Sequence, residues 1–107
     1  MVNAVPVIDL EHLARQTFGD TALRNYVLGL FLSQSKALIA EGRADPSALG
    51  RVAHKLSGSA RGLGVARVAE MAATVEALDP DARKDAFARL AACVDEANAA
   101  IEALLAS

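Results

Sequence analysis

The chain has 107 residues, 53% of them apolar, with three phenylalanines, one tyrosine, no tryptophan and a formal charge of −2. That length suits one domain able to bury a core without staples, and the mild acidity with scattered cations excludes the basic footprint of a general nucleic-acid binder. A lone cysteine, Cys93, excludes an intramolecular disulfide, and two histidines provide no Cys/His spacing for zinc.

Few aromatic residues and many alanines favour close-packed helices over a sheet. The predicted class is all-α: an antiparallel four-helix bundle over about 20–106 with a short additional N-terminal helix over about 9–16. The start, Met1 to Asp9, shows neither a basic leader nor a long apolar run, and no later stretch is apolar enough to cross a bilayer. The expectation is a cytoplasmic monomer without membrane or nucleic-acid partners.

Val5-Pro6-Val7-Ile8 reads as an extended lead-in, and Asp9 can cap a helix to Gln16 with Leu10 and Leu13 turned inward. Phe18-Gly19-Asp20 breaks it. A piece this short is not stable alone, so it should lie across the end of the bundle. His12, on this helix, has no acid or cation pattern around it and reads as structural. Asp20 then caps a second helix from Thr21 to about Glu41, with Gly42 placed to stop it. Leu23, Tyr26, Val27, Leu30, Phe31, Ala37 and Leu38 form its expected core stripe. Leu28, Leu32 and Ile39 fall on the nearly opposite side, either covered by the first helix or left as an apolar patch for a partner.

Asp45-Pro46 marks the start of the third helix, which should end at Gly62 or Gly64. Leu49, Val52, Ala53, Leu56, Ala60 and Leu63 recur at the spacing of one buried face. At 100° per residue this leaves His54 roughly 140° from the stripe's centre, in the company of Gly50, Arg51, Ser57, Gly58 and Arg61. His54 should face water. Gly50 and Gly58 flank it one turn away on either side, and glycine inside a helix costs about 1 kcal/mol relative to alanine. Access offers a reason: with no side chains there, a partner's backbone can approach the ring, while Lys55, Arg51 and Arg61 supply positive charge for an arriving anion. An ordinary solvated histidine on a glycine-rich helix is the other reading of this pattern.

The fourth helix, about Ala66–Leu78, turns Val65, Val68, Met71, Ala72 and Val75 inward and carries Glu76 at the edge of that stripe. An antiparallel return through a short turn at Gly64 can bring Glu76 beside His54; pairing with Arg61, or simple solvation, is the alternative. Asp79-Pro80-Asp81 starts a last helix to Ala106, whose seam is Phe87, Leu90, Val94, Ala97, Ile101 and Leu104, with Cys93 packed beside it. The run Gly58-Ser59-Ala60-Arg61-Gly62-Leu63-Gly64 lacks the Lys-Ser/Thr ending and preceding strand of a P-loop, so a nucleotide site is not expected.

Ala53-His54-Lys55-Leu56-Ser57-Gly58-Ser59-Ala60, followed by Leu63-Gly64-Val65, Val68, Ala69 and Glu76, resembles the signature of the histidine-containing phosphotransfer (HPt) domains of two-component phosphorelays. The family usually carries lysine three residues after the histidine; here that position is Ser57. The resemblance implies that His54 accepts a phosphoryl group from a receiver-domain aspartyl phosphate and passes it to another receiver. It also implies that Glu76 orients the imidazole, with Lys55 and Arg61 as candidate cations for the phosphoryl oxygens. Partner access is expected over Gly58, Gly50, Ser57, Leu28 and Leu32. No intrinsic cofactor is expected, Mg²⁺ being supplied by the partner receiver. Response-regulator receivers and a hybrid histidine kinase are the implied partners, and no independent kinase or hydrolase activity is expected. Two other classes stay open: a helical adaptor that binds a receiver without carrying phosphate, and the phosphate-accepting domain of a histidine kinase.

Overall fold

The computed structural model describes residues 5–107, and the expected lead-in Val5–Ile8 lies within it as non-helical chain ahead of the first helix. Five α-helices follow one another: α1 (Leu10–Gln16), α2 (Thr21–Ala44), α3 (Leu49–Leu63), α4 (Ala66–Ala77) and α5 (Pro80–Ala106). No strand occurs among the described residues. The architecture is an all-α antiparallel bundle with a short helix added at its N-terminal side. No helix among the described residues is long and apolar enough to cross a membrane.

The boundaries follow from local chemistry. Asp9, Asp20 and Asp79 each cap a helix, their carboxylates accepting from the backbone N–H of His12, Leu23 and Ala82. Asp45 accepts from the N–H of Ser47 and opens a 3₁₀ turn, Pro46–Ala48, that leads into α3. Phe18 and Gly19 take left-handed conformations between α1 and α2, which ends the first helix as expected. Gly64 closes α3 at φ +79°. Any side chain there would be strained, and its Cβ would lie 2.9 Å from the ring of His12.

That contact reflects how α1 is attached. The Asp9 N–H donates to the carbonyl of Gly64 at 2.7 Å, and His12 Nε2 donates to the carbonyl of Gly62 at 3.2 Å. So α1 closes the C-terminal end of α3, and His12 has the structural role expected of it. Leu13 is buried beneath α1, whereas Leu10, expected to turn inward, is exposed.

The second helix corrects the sequence reading most. Its buried residues are Leu28, Phe31, Ser35, Leu38, Ile39 and Gly42, while Tyr26 and Leu30 are exposed and Ala37 lies at the surface. Leu28 and Ile39 are therefore core rather than a partner patch, and Leu32 packs against the core from its edge. α1 does not cover them; its packing is directed at α3. The true stripe was hidden because two of its steps, Ser35 and Gly42, are not apolar. Ser35 exchanges hydrogen bonds with Asn98 of α5, with Asn98 Nδ2 3.0 Å from Ser35 Oγ, and both residues are buried. Gly42 does not stop α2. It lies inside the helix where a Cβ would meet the Phe87 ring at 2.8 Å and Leu49 at 3.0 Å, so its small size permits the close crossing of α2 with α3 and α5.

The other helices bury the faces their periodicity predicted. Val52, Ala53, Leu56 and Ala60 of α3, Val68, Ala72 and Val75 of α4, and Leu90, Val94, Ala97 and Ile101 of α5 form one core with Phe31 and Leu28. α3 lies at its centre and packs against all four other helices, most extensively against α4.

Ser35→Ala strips Asn98 of its buried partner and should cost about 1–3 kcal/mol in urea unfolding. Ser35→Ala with Asn98→Leu, which removes both polar groups, should cost less than the sum of the two single changes.

Candidate functional site

The fold of α3 decides what its outer face can offer. Because the stripe opposite is enclosed by four helices, His54 is turned outward, and its side chain is 75% exposed. The short turn at Gly64 sends α4 back along α3 and brings Glu76, in the last turn of α4, to the ring. His54 Nδ1 lies 2.7 Å from Glu76 Oε2. An ionised carboxylate can only accept, so this contact assigns the proton to Nδ1 and leaves the lone pair of Nε2 directed away from the carboxylate.

The two glycines beside His54 differ. At Gly58 a Cβ would meet nothing within 4 Å, so one turn beyond the histidine the helix surface is open. Gly50 is not an open step. A Cβ there would lie 2.7 Å from Nη1 of Arg83, because that side chain reaches from α5 across the helix at this point and donates from Nη2 to the carbonyl of Glu76 at 2.8 Å. The expected access over Gly50 is thus corrected: its missing side chain accommodates a residue of the same chain.

Ser57 is corrected too. It is buried, not displayed beside His54. It stands at the margin of the apolar stripe of a helix enclosed on several sides, so neighbouring elements cover it. Its hydroxyl accepts from Arg61 Nη2 at 3.0 Å, one turn along the same helix. Arg61 consequently folds back toward the histidine's end of α3. Arg51 is engaged elsewhere, in an ion pair with Glu41 at the end of α2. Lys55 is exposed beside His54. Neither Lys55 nor Arg61 hydrogen-bonds to His54 or Glu76, so the structure gathers the imidazole and the carboxylate into direct contact and leaves the two cations around them.

Next to the open step at Gly58 runs a groove of about 400 Å³ between α2 and α3. Leu23, Val27, Leu30 and Phe31 line one side, and Gly58, Ser59, Gly62 and Leu63 the other, with Gln16 and Thr17 closing one end. All four of these α2 residues belong to the stripe predicted as core, but only Phe31 is buried; Leu23, Val27 and Leu30 are instead apolar surface beside the histidine, taking the place expected of Leu28 and Leu32. Exposed Tyr26 extends the same apolar side of α2.

The site is thus an exposed imidazole, held on one nitrogen by an acid twenty-two residues later and bordered by a bare glycine step. Residues 20–106 fit the family model of the Hpt domain. The chain belongs to the Hpt domain family. This membership covers all four long helices and assigns the Hpt domain a phosphotransfer-type role in phosphorelays, with receiver domains of two-component systems as the general class of partner. Searches of curated proteins and of solved structures returned no match.

Arg83 is the residue at this site that sequence reasoning missed. Nothing local marks an arginine in the first turns of α5. Two indirect signs existed: a glycine inside α3 with no turn to explain it, and an α4 whose last turn contains an acid but no base. Among the described residues no three His, Cys, Asp or Glu side chains converge as a metal would require. Cys93 is half-buried, and burial pushes its thiol up from the ordinary range, which disfavours the reactive thiolate.

The Arg51 guanidinium hydrogen-bonded to Glu41 holds that carboxyl below its usual value. A carboxylate lowered in the folded state stabilises the fold above the unfolded pKa, and the contribution is lost as pH falls through the lowered folded value. Urea midpoints measured between roughly pH 6 and 3 should therefore drop more steeply in the native chain than in Glu41→Gln.

Proposed function

We propose that this Hpt domain is a phosphocarrier that accepts a phosphoryl group on His54 from a receiver aspartyl phosphate and returns it to a second receiver. The observation that carries the reading is the Nδ1 contact to Glu76, which leaves Nε2 as the free nucleophilic nitrogen on an open face. As Nε2 forms its bond to phosphorus, the bond from phosphorus to the aspartate oxygen breaks and the aspartate leaves as a carboxylate. The Nδ1 proton need not move. The ring gains positive charge as it takes the phosphoryl group, and the Glu76 carboxylate stabilises that charge where it develops. Reverse transfer follows the same path, because the phosphoramidate and the acyl phosphate are both high-energy species.

Phosphoryl transfer rests on in-line positioning and charge stabilisation more than on acid–base chemistry. This chain would contribute the oriented nucleophile, with Lys55 and Arg61 to steady the phosphoryl oxygens. Arg61, drawn back by Ser57, places a cation at the step where the family's usual lysine would stand. The receiver would bring the aspartate and its Mg²⁺, which supplies neutralising charge to the phosphoryl oxygens. Apolar contact in the groove of Leu23, Val27 and Leu30 would orient the receiver, and bare Gly58 would let it approach the ring.

Incubation with a phosphorylated receiver and Mg²⁺ should give acid-labile, alkali-stable label on the native chain and none on His54→Gln. Binding that persists in both without label would make the chain an adaptor. Label arriving only from a kinase with ATP would make it a kinase's phosphate-accepting domain.

Glu76→Ala should slow transfer several-fold, about 1 kcal/mol or more in the barrier, with Glu76→Gln intermediate because its amide oxygen still accepts. Gly58→Gln should slow transfer far more than it lowers the unfolding free energy, since its side chain enters open space beside the ring. Rapid-quench transfer rates set against urea unfolding of the same variants separate the two effects.

A further inference from the structure

Arg83 connects three helices at the one place where the proposed chemistry needs their spacing held. It projects from the start of α5, whose backbone is anchored there by Asp79, which caps the helix through Ala82 and accepts the Arg83 N–H at 2.9 Å. Its Nη2 donates to the Glu76 carbonyl at 2.8 Å, and its guanidinium lies over Gly50, one turn before His54 on α3.

Three features show that this placement serves α4 and α3 rather than α5. A cation near a helix N-terminus is unfavourable to its own helix. The last turn of α4 carries Glu76 and no base, so its carbonyl ends and its acid both call for a cation from another element. Finally, Nε of Arg83 is buried without a hydrogen-bond partner, so the guanidinium is held by where it must reach and not by saturation of its own donors. Gly50 completes the seat, because a Cβ at that step would lie 2.7 Å from Nη1 and make the guanidinium shift.

We propose that Arg83 is a positioning residue for His54: seated on Gly50 and bonded to the Glu76 carbonyl, it fixes the end of α4 against α3 and so holds the Glu76 carboxylate at the imidazole. The inference deepens the reading of His54 as phosphoryl acceptor and rests on it. Arg83 hydrogen-bonds to neither the ring nor the Glu76 carboxylate. It acts through the backbone of the residue that does contact the ring.

The test reads the ring directly. In the full chain with ¹⁵N-labelled histidine, the native His54 should show the tautomer protonated on Nδ1. Arg83→Met, which keeps an unbranched apolar stem but removes the guanidinium, should give a mixture of tautomers together with several-fold slower phosphoryl uptake. Arg83→Lys should recover part of both, since an ammonium can still donate to the carbonyl. Gly50→Ala should shift the ring in the same direction by displacing the guanidinium from the other side, although alanine is the better helix former. In the Arg83→Met background, Gly50→Ala should add nothing. If Arg83→Met fails to fold, Gly50→Ala alone decides the matter. A Gly50→Ala imidazole indistinguishable from the native one overturns the proposal, as does an additive effect in the double variant. A native chain that takes up no phosphoryl group, while its tautomer still follows Arg83, would sink the carrier reading and leave the positioning role standing.

Discussion

Every other part of the structure depends on the burial of one face of α3. The residues Val52, Ala53, Leu56 and Ala60 are enclosed by four neighbouring helices, and the free energy of removing that stripe from water sets the helix's rotation about its axis. Once the rotation is set, His54 has no choice of direction. An imidazole on the far side of a tightly packed helix is exposed without needing a cleft, and the packed rod beneath holds its direction.

Around that rod the molecule leaves some steps of α3 open and occupies others. Gly58 is bare, and beyond it the Leu23, Val27 and Leu30 groove offers apolar surface. Gly50 carries the guanidinium of Arg83. The same residue type thus serves opposite ends one turn either side of the histidine: on one side an open step, on the other room for a connection between helices. The buried hydroxyl of Ser57 likewise takes part in the chain's own structure, drawing Arg61 back along α3. Charge near His54 is arranged in this way by side chains with different attachments. Glu76 touches the ring, Arg61 is tethered, Arg51 is neutralised by Glu41, and Lys55 stands in solvent.

The polar contacts buried between helices do related work at a distance. Ser35 and Asn98 satisfy one another across α2 and α5, and such a pair fixes the register of two helices whose apolar surfaces would tolerate sliding. Register matters here because the groove beside His54 is made by α2 against α3. A shift of α2 by one residue would carry Leu30 to the buried place of Phe31 and would change the groove beside His54.

Much of this was legible before any coordinates. Local rules were sufficient for the five helices, the aspartates that start several of them, a glycine stop to α3 at Gly62 or Gly64 and the outward direction of His54, because capping and the 3.6-residue period act between near neighbours in the chain. The approach of Glu76 to His54 was accessible for the same reason, since one short turn forces α4 back along α3. The face of α2 was misread where a serine and a glycine stand in a buried stripe. Their burial depends on Asn98 and Phe87, which lie far away in sequence, and no local pattern announces such partners. Arg83 on Gly50 is of the same kind. Which face of a two-sided helix is covered, and which glycine is empty, are settled only when distant helices compete for the same space, and that competition is what folding in three dimensions decides.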